Sequence, residues 1–277
     1  MKVRKTAGLV GAGGVNRSFL ARMPALLESL GPVKGSSLRV SRRIANGFRT
    51  GAGVTDYAAL QGCELIWMFV PENTLDRITA ELAAKLRLEG KMVVVCEVMR
   101  DSLRTGPLRT ASARVATLNC IPESGERTFV AEGHPAVVTE LRKLLALDGR
   151  KLIELRPAAK ILYLSGVHLG AHLLMPWIAG AVESLRAAGF SRSEAADTVQ
   201  TLGTRALRAY VKAGTKAWNP AEAESLHRAI EADMETIRLA DQWLAALYSD
   251  SMKRLPQAFS KTRDGKGQSK AASLRAS

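Results

Sequence analysis

Only three of the 277 residues are cysteine, and Cys63, Cys96 and Cys120 show no C-x-x-C pairing. That argues against a disulfide framework and against a zinc site. Aromatic residues make up 5% of the chain and do not alternate with its basic clusters, so a base-stacking nucleic-acid platform has little to be built from. Acidic residues are few as well: 26 Asp and Glu face 40 Lys and Arg, for a net charge of +14. Such a balance suits nucleic acid, an acidic surface or a polyanionic small molecule, and where the charge sits decides among them. Part of it lies near the end, where Lys261, Arg263, Lys266, Lys270 and Arg275 face only Asp264 among Gly, Ser and Ala. That composition reads as a disordered tail over 257–277. The rest is spread, with one cluster at Arg39, Arg42, Arg43 and Arg49. No run approaches the length of apolar residues a membrane span needs, and the basic start is followed by a glycine turn where a signal peptide needs an apolar core. The expectation is a cytoplasmic protein with no membrane partner and with nucleic acid disfavoured as a partner.

The glycines are concentrated where they have most effect. A short apolar run over 7–10 turns through Gly11, Gly13 and Gly14 into a segment, 15–30, whose apolar residues recur at helical spacing. Gly11 and Gly13 fill the first two places of G-x-G-x-x-G, and Asn16 stands in the third. In a nucleotide site the first glycine permits the tight turn and the second lets a pyrophosphate approach the backbone. Gly11, Gly13, Gly14, Val15 and Asn16 are therefore candidate phosphate contacts. The other reading is a glycine turn in an unliganded strand-helix-strand unit.

A second strand is expected over 37–41, and an NAD site would carry an acidic residue at its end. Here stand Ser41, Arg42 and Arg43, a hydroxyl and two guanidiniums able to grip a 2′-phosphate through charge-assisted hydrogen bonds. The cofactor implied is NADP; two arginines opening a solvated helix are the alternative. A short helix, a glycine-rich link and another short helix lead to the most apolar strand, 64–70, which suits a central parallel position. Val70 and Pro71, at its carboxyl end, should lie beside the cofactor. Further strands are expected over 91–96, 114–119, 128–131 and 151–155, with helices over 74–88 and 135–147. The pattern indicates an α/β Rossmann-like doubly wound sheet with a later, mixed edge, filling a cofactor domain over 1–156.

Beyond Pro157 the period becomes helical throughout. A long segment over 160–188 should kink at Pro176, Ser191 and Glu194 form a capping-box pattern that opens a helix to about 213, and further helices follow from Pro220. The second domain, 157–256, is thus expected to be all-α.

With these residues in hand, the chain resembles the NADP-dependent Rossmann oxidoreductases related to pyrroline-5-carboxylate reductase, closest to those with an uncharacterised helical C-terminal domain. The resemblance is carried by Gly11-Ala-Gly13, by Val40-Ser41-Arg42, by Phe69-Val70-Pro71 and by Lys160-Ile-Leu-Tyr163, which is similar to a Lys-x-x-Tyr at the start of the family's first C-terminal helix. It implies hydride transfer between NADP and a small carbonyl or imine. It departs where the family has His-Ser-Gly after the fifth strand, since this chain has Cys96-Glu97-Val98. A nicotinamide enzyme needs one further group to move a proton. Lys160 and His172, on the helix that faces the interdomain cleft in this architecture, are the candidates, against the alternative that Lys160 is an ordinary helix-terminal lysine. His168 and His172 share a helical face, but no acid joins them, and a metal site is not expected. A homodimer through the helical domain acting on a small-molecule substrate is one expectation; an NADP-binding sensor or scaffold without turnover is the other.

Overall fold

The computed structural model describes residues 7–12, 14–121, 127–217 and 219–260. The chain forms two compact units that divide between Val167 and His168.

The first unit is built on eight strands: β1 (Ala7–Gly11), β2 (Leu30–Lys34), β3 (Ala52–Val54), β4 (Leu65–Phe69), β5 (Met92–Cys96), β6 (Arg114–Cys120), β7 (Thr128–Gly133) and β8 (Lys151–Glu154). Their spatial order is β3-β2-β1-β4-β5-β6-β7-β8, parallel throughout except for the antiparallel pair β6 and β7. This is the doubly wound sheet with a mixed edge that the alternation of elements predicts. β1, β4 and β5 are buried along their whole length, as continuous apolar runs require. Their alternate side chains feed two cores, with Leu9, Trp67 and Val94 on one face and Val10, Ile66 and Val93 on the other. Helices α1 (Pro24–Leu27), α2 (Leu38–Phe48), α3 (Leu75–Lys85), α4 (Gly106–Thr110) and α5 (Pro135–Leu147) connect them.

Three local expectations are corrected. The segment 15–30 is not one helix but two 3₁₀ turns, Val15–Arg17 and Phe19–Arg22, followed by the four-residue α1. Ser18 breaks it: the residue is extended and its Oγ accepts the Leu20 N–H at 3.3 Å, while Pro24 brings no N–H to continue a helix. The second strand lies at Leu30–Lys34, not 37–41. Gly31-Pro32, which reads as a helix stop, sits inside that strand, where the pairing with β1 shifts register between Ala7 and Leu9 and absorbs the missing proline donor. Ser37 instead caps α2, its Oγ accepting the Val40 N–H at 3.3 Å. Within the glycine-rich link, β3 adds an edge strand; a Cβ on Gly53 would lie 2.5 Å from the backbone nitrogen of Arg42, so the close packing of α2 on this edge needs glycine there.

The second unit is helical. The last residues of α6 (Lys160–Gly170), a 3₁₀ turn at His172–Leu174, α7 (Met175–Ala187), α8 (Arg192–Ala213), α9 (Pro220–Ala232), α10 (Met234–Ala240) and α11 (Gln242–Ser260) follow in order. The break in the first long segment falls at Ala171, and Pro176 sits in the first turn of α7, where a missing N–H costs least. The capping box forms as the sequence predicts, with Ser191 Oγ accepting the Glu194 N–H at 3.3 Å and Glu194 Oε2 accepting the Ser191 N–H at 2.9 Å. α11 continues to Ser260, past the expected start of the tail, and residues 261–277 lie outside the described residues. One stretch, Lys160–Ala187, broken at Ala171, is long and apolar enough by length and composition alone to cross a membrane.

Candidate functional site

In an open parallel sheet the ligand crevice lies beyond the carboxyl ends of the strands, where the strand order reverses. Here that point is between β1 and β4. Gly11 ends β1, and the next residue ties the turn to the neighbouring strand, the Ala12 N–H donating to Phe69 O at 2.9 Å. A Cβ on Gly11 would meet Val15 Cγ1 at 3.3 Å and Ile44 Cδ1 at 3.5 Å, so the turn lies tight against α2. Around Gly14 the reverse holds: no atom comes within 4 Å of where a Cβ would stand. A bare backbone bordered by open space is what close approach of a pyrophosphate requires. Val15 is buried in the core, and Gly13 and the side chain of Asn16 lie outside the described residues. Because a single 3₁₀ turn follows, the fit to a dinucleotide is one of shape and backbone access and not of a helix dipole.

Ser41 does not serve the site as the sequence suggests. It is fully buried in α2, its Oγ accepting the Gly35 N–H at 2.8 Å and lying 2.9 Å from Val54 O and 3.0 Å from Ser37 O. The hydroxyl is consumed in tying the end of β2 to α2 and β3. The groups exposed near the end of β2 are Ser36, Ser37 and Arg39, with Arg42 and Arg43 farther along α2. Hydroxyls and guanidiniums remain the local chemistry, shifted toward the strand end.

Val70 and Pro71 follow β4 as expected, Val70 packed on one core and Pro71 exposed. What the sequence reading passed over is Glu72. Its Oε2 accepts the Met99 N–H at 3.0 Å and its Oε1 accepts Arg100 Nε–H at 2.5 Å, while Arg100 also pairs with Asp76 at 2.6 Å. These bonds fasten the loop after β5 to the loop after β4, so the two walls of the crevice are held together.

At the end of β5 stands Glu97, an exposed residue with a left-handed backbone, φ +58°. Its N–H continues the sheet by donating to Leu118 O at 2.9 Å, and its Oε1 accepts the Cys120 N–H at 3.0 Å. The surrounding protein pushes the carboxyl pKa up; the Cys120 N–H and the Lys160 charge work against that rise. Burial holds the Cys96 thiol well above its ordinary range, with Glu97 adding to the effect. The sequence signals for Glu97 are its place, a charged residue directly after a fully apolar strand, and its position in the Cys96-Glu97-Val98 departure from the family pattern.

Lys160 and Tyr163, one turn apart on α6, come to this same edge of the sheet. Lys160 is 1% exposed and its Nζ has no hydrogen-bond partner. Burial lowers its pKa to about 8, against the raising influence of Glu132, Glu72, Cys96 and Asp101. Glu132 on β7 is itself buried, its carboxylate accepting the Ser102 N–H at 2.6 Å, the Ser102 hydroxyl at 2.8 Å and the Thr117 hydroxyl at 2.8 Å. Tyr163 is half-buried, its phenol pushed up by burial and then by Glu97 and Cys120. The other expected group, His172, belongs to the second unit, where its ring centroid lies 5.3 Å from that of His168. Among the described residues no three His, Cys, Asp or Glu side chains are grouped to hold a metal ion.

No family model matches the chain, and no curated protein matches it. Solved structures share its fold. An imine reductase from Myxococcus stipitatus in complex with NADP+ is similar at 15% identity and a TM-score of 0.63, over 91% of this chain and 94% of that one. A Streptomyces aurantiacus imine reductase is similar at 16% identity and 0.59, over 92% and 95%. A pyrroline-5-carboxylate reductase from Coxiella burnetii is similar at 12% identity and 0.54, over 91% and 98%. The architecture that the motifs imply is thus found along nearly the whole chain.

Proposed function

We propose that this protein is an NADP-dependent oxidoreductase that moves a hydride to or from a small carbonyl or imine. The observation that carries the reading is the assembly, on one edge of one sheet, of an open glycine turn at the β1–β4 switch point and a proton-bearing cluster beyond β5 and β6. Gly11, Gly14 and the backbone between them would hold the pyrophosphate, and Ser36, Ser37, Arg39 and Arg42 the 2′-phosphate, with Val70 and Pro71 beside the ring. The cofactor supplies the hydride; the chain's task is to orient it, keep water out and handle one proton. Lys160, with a pKa of about 8, and His172 are the groups we assign to that proton. The NADP-bound imine reductase of the same fold supports the choice of cofactor and chemistry.

The second reading, a cofactor-binding protein without turnover, draws on the enclosure of Lys160, which no substrate reaches without movement of its surroundings. Calorimetric titration with NADPH and NADH, followed by a screen of imines and small ketones at the NADPH absorbance band, separates the two. Binding with turnover supports the enzyme, and Lys160→Ala and His172→Ala should then lower turnover while leaving NADPH affinity in place. Binding without any turnover supports the sensor. No binding of either cofactor overturns both.

We also assign the helical unit to a homodimer of a cytoplasmic protein. Among the described residues of that unit only Ala195 and Ala245 are buried hydrophobics, while Met175, Trp177, Tyr210, Leu239 and Trp243 are exposed. A helical bundle with so small a core of its own has its apolar faces covered by something else.

A further inference from the structure

We propose that Glu97 is the residue by which the site distinguishes the two redox states of its cofactor, its carboxylate favouring the oxidised, positively charged nicotinamide ring over the reduced, neutral one. The inference rests on the dinucleotide reading above and adds to it a residue that neither the glycine motif nor the arginines involve.

Glu97 offers a carboxylate with one anchored and one free oxygen at the end of the sheet where the dinucleotide reading puts the ring. A dinucleotide laid across the switch point, with its pyrophosphate at Gly11 and Gly14, extends its ring end over the carboxyl ends of β4 and β5. Glu97 is the first residue beyond β5. Its backbone is in the left-handed region, a conformation that costs a residue with a side chain about 1 kcal/mol or more and is kept only where the surroundings impose it. One oxygen is anchored by the Cys120 N–H, and the other takes no hydrogen bond or ion pair among the described residues. The anchored oxygen fixes the carboxylate while the second is left to face a ligand.

None of the groups around Glu97 forms an ion pair with it among the described residues, although the Lys160 charge is felt there. From β5 the neighbour is Cys96, whose thiol burial keeps protonated; from β6 it is Cys120; from α6 come Tyr163, whose phenol is pushed up, and Lys160. Lys160 in turn faces Glu132, Glu72 and Asp101 and makes no ion pair with Glu97. Of these groups Glu97 is the carboxyl that burial pushes above its ordinary range, against the Cys120 N–H and the Lys160 charge. Loss of hydride turns the neutral dihydronicotinamide into a cation, and a fixed anion beside it stabilises that product without reorganising. The bound reduced cofactor is thereby made the stronger hydride donor.

The test needs no substrate. Dissociation constants of NADP+ and of NADPH are measured on the full chain by calorimetry from pH 5 to pH 7, for the wild type, Glu97→Gln and Glu97→Gly. The glycine variant removes the charge while suiting the left-handed backbone, so at least one neutral variant is free of strain. The 2′-phosphate also titrates in this range, but it is common to both ligands and cancels in the ratio of their constants. The expected result at pH 7 is a wild-type preference for NADP+ over NADPH about tenfold greater than in either neutral variant, equivalent to 1.4 kcal/mol. A ratio in the wild type that equals the ratio in both neutral variants overturns the role of Glu97 while cofactor binding stands. Failure of either cofactor to bind at any pH overturns the dinucleotide reading itself, and this inference with it.

Discussion

Glu132 and Lys160 are buried together in the first unit, the carboxylate accepting three hydrogen bonds and the ammonium making none. The pair is therefore lopsided: desolvation of Lys160 outweighs the attraction of the nearby acids, and its pKa falls from 10.5 to about 8. The sign of the consequence follows from proton counts. Between about pH 8 and about pH 10.5 the unfolded chain holds this proton and the folded chain does not, so stability through this group rises with pH across that window. Below it the folded state carries a buried charge at a cost on the order of 3 kcal/mol. Lys160→Met, which keeps the volume and removes the charge, should be more stable than the wild type at pH 7, with the advantage shrinking toward pH 10. Urea denaturation at both pH values measures this. A variant less stable at pH 7 would show that the ammonium is held by an interaction stronger than its desolvation.

Ser41 gives a prediction of the opposite kind, in which a residue expected to touch the ligand is structural. Ser41→Ala leaves the buried Gly35 N–H without its acceptor at the junction of β2, α2 and β3. A loss of about 1–3 kcal/mol in unfolding free energy is expected. The affinities for NADPH and NADH should change by equal factors. A loss confined to NADPH would return Ser41 to the phosphate site.

The contrast between Ser41 and Gly11 shows how far the sequence could be read. Apolar runs such as those of β4 and β5 have one physical solution, a central parallel strand, and they fall where their composition puts them. The glycine turn is equally local. β2 was displaced because its strand character rests on pairing: Gly31-Pro32 is a helix stop by itself and becomes strand only when a register shift in β1 accommodates the proline. Everything that depended on the end of that strand, Ser41 above all, moved with it. Glu72, Glu97 and Glu132 were not legible because their significance lies in partners 15 to 30 residues away along the chain, such as Cys120, Arg100 and Thr117. Lys160 was found by its motif, but its enclosure is a property of packing.

The displaced strand end also changes which cations should matter. Arg39 lies in the first turn of α2 and Arg42 one turn later, so both project from the same side of the helix near Ser36 and Ser37. The double variant Arg39→Ala, Arg42→Ala should lose about 1–3 kcal/mol of NADPH binding per charged hydrogen bond removed, with NADH binding unchanged. Titration of each cofactor by calorimetry reads the difference directly. Equal losses for both would show that the arginines act on net charge and not on the 2′-phosphate.

The stretch Lys160–Ala187 is where three readings of the helical unit compete: a membrane, a partner of another kind, or a second copy of the chain. Its apolar side chains are exposed, as are those of α8 and α10, so the uncovered surface extends well beyond one helix. A bilayer would cover a single span but not Tyr210, Val211 and Leu239 on other helices, and it would have to accept His168 and His172 near the centre of that span. A second copy would cover all of these faces at once, and closed two-fold pairs are the commonest soluble assemblies. Light scattering of the purified chain should therefore give twice the monomer mass of 29.8 kDa without detergent. Trp177→Asp with Leu239→Asp should shift the species toward monomer and lower the melting temperature, because the helices lose the cover that their small core does not supply. A wild-type chain that stays monomeric in buffer, or that is recovered only with detergent or lipid, would reject the dimer.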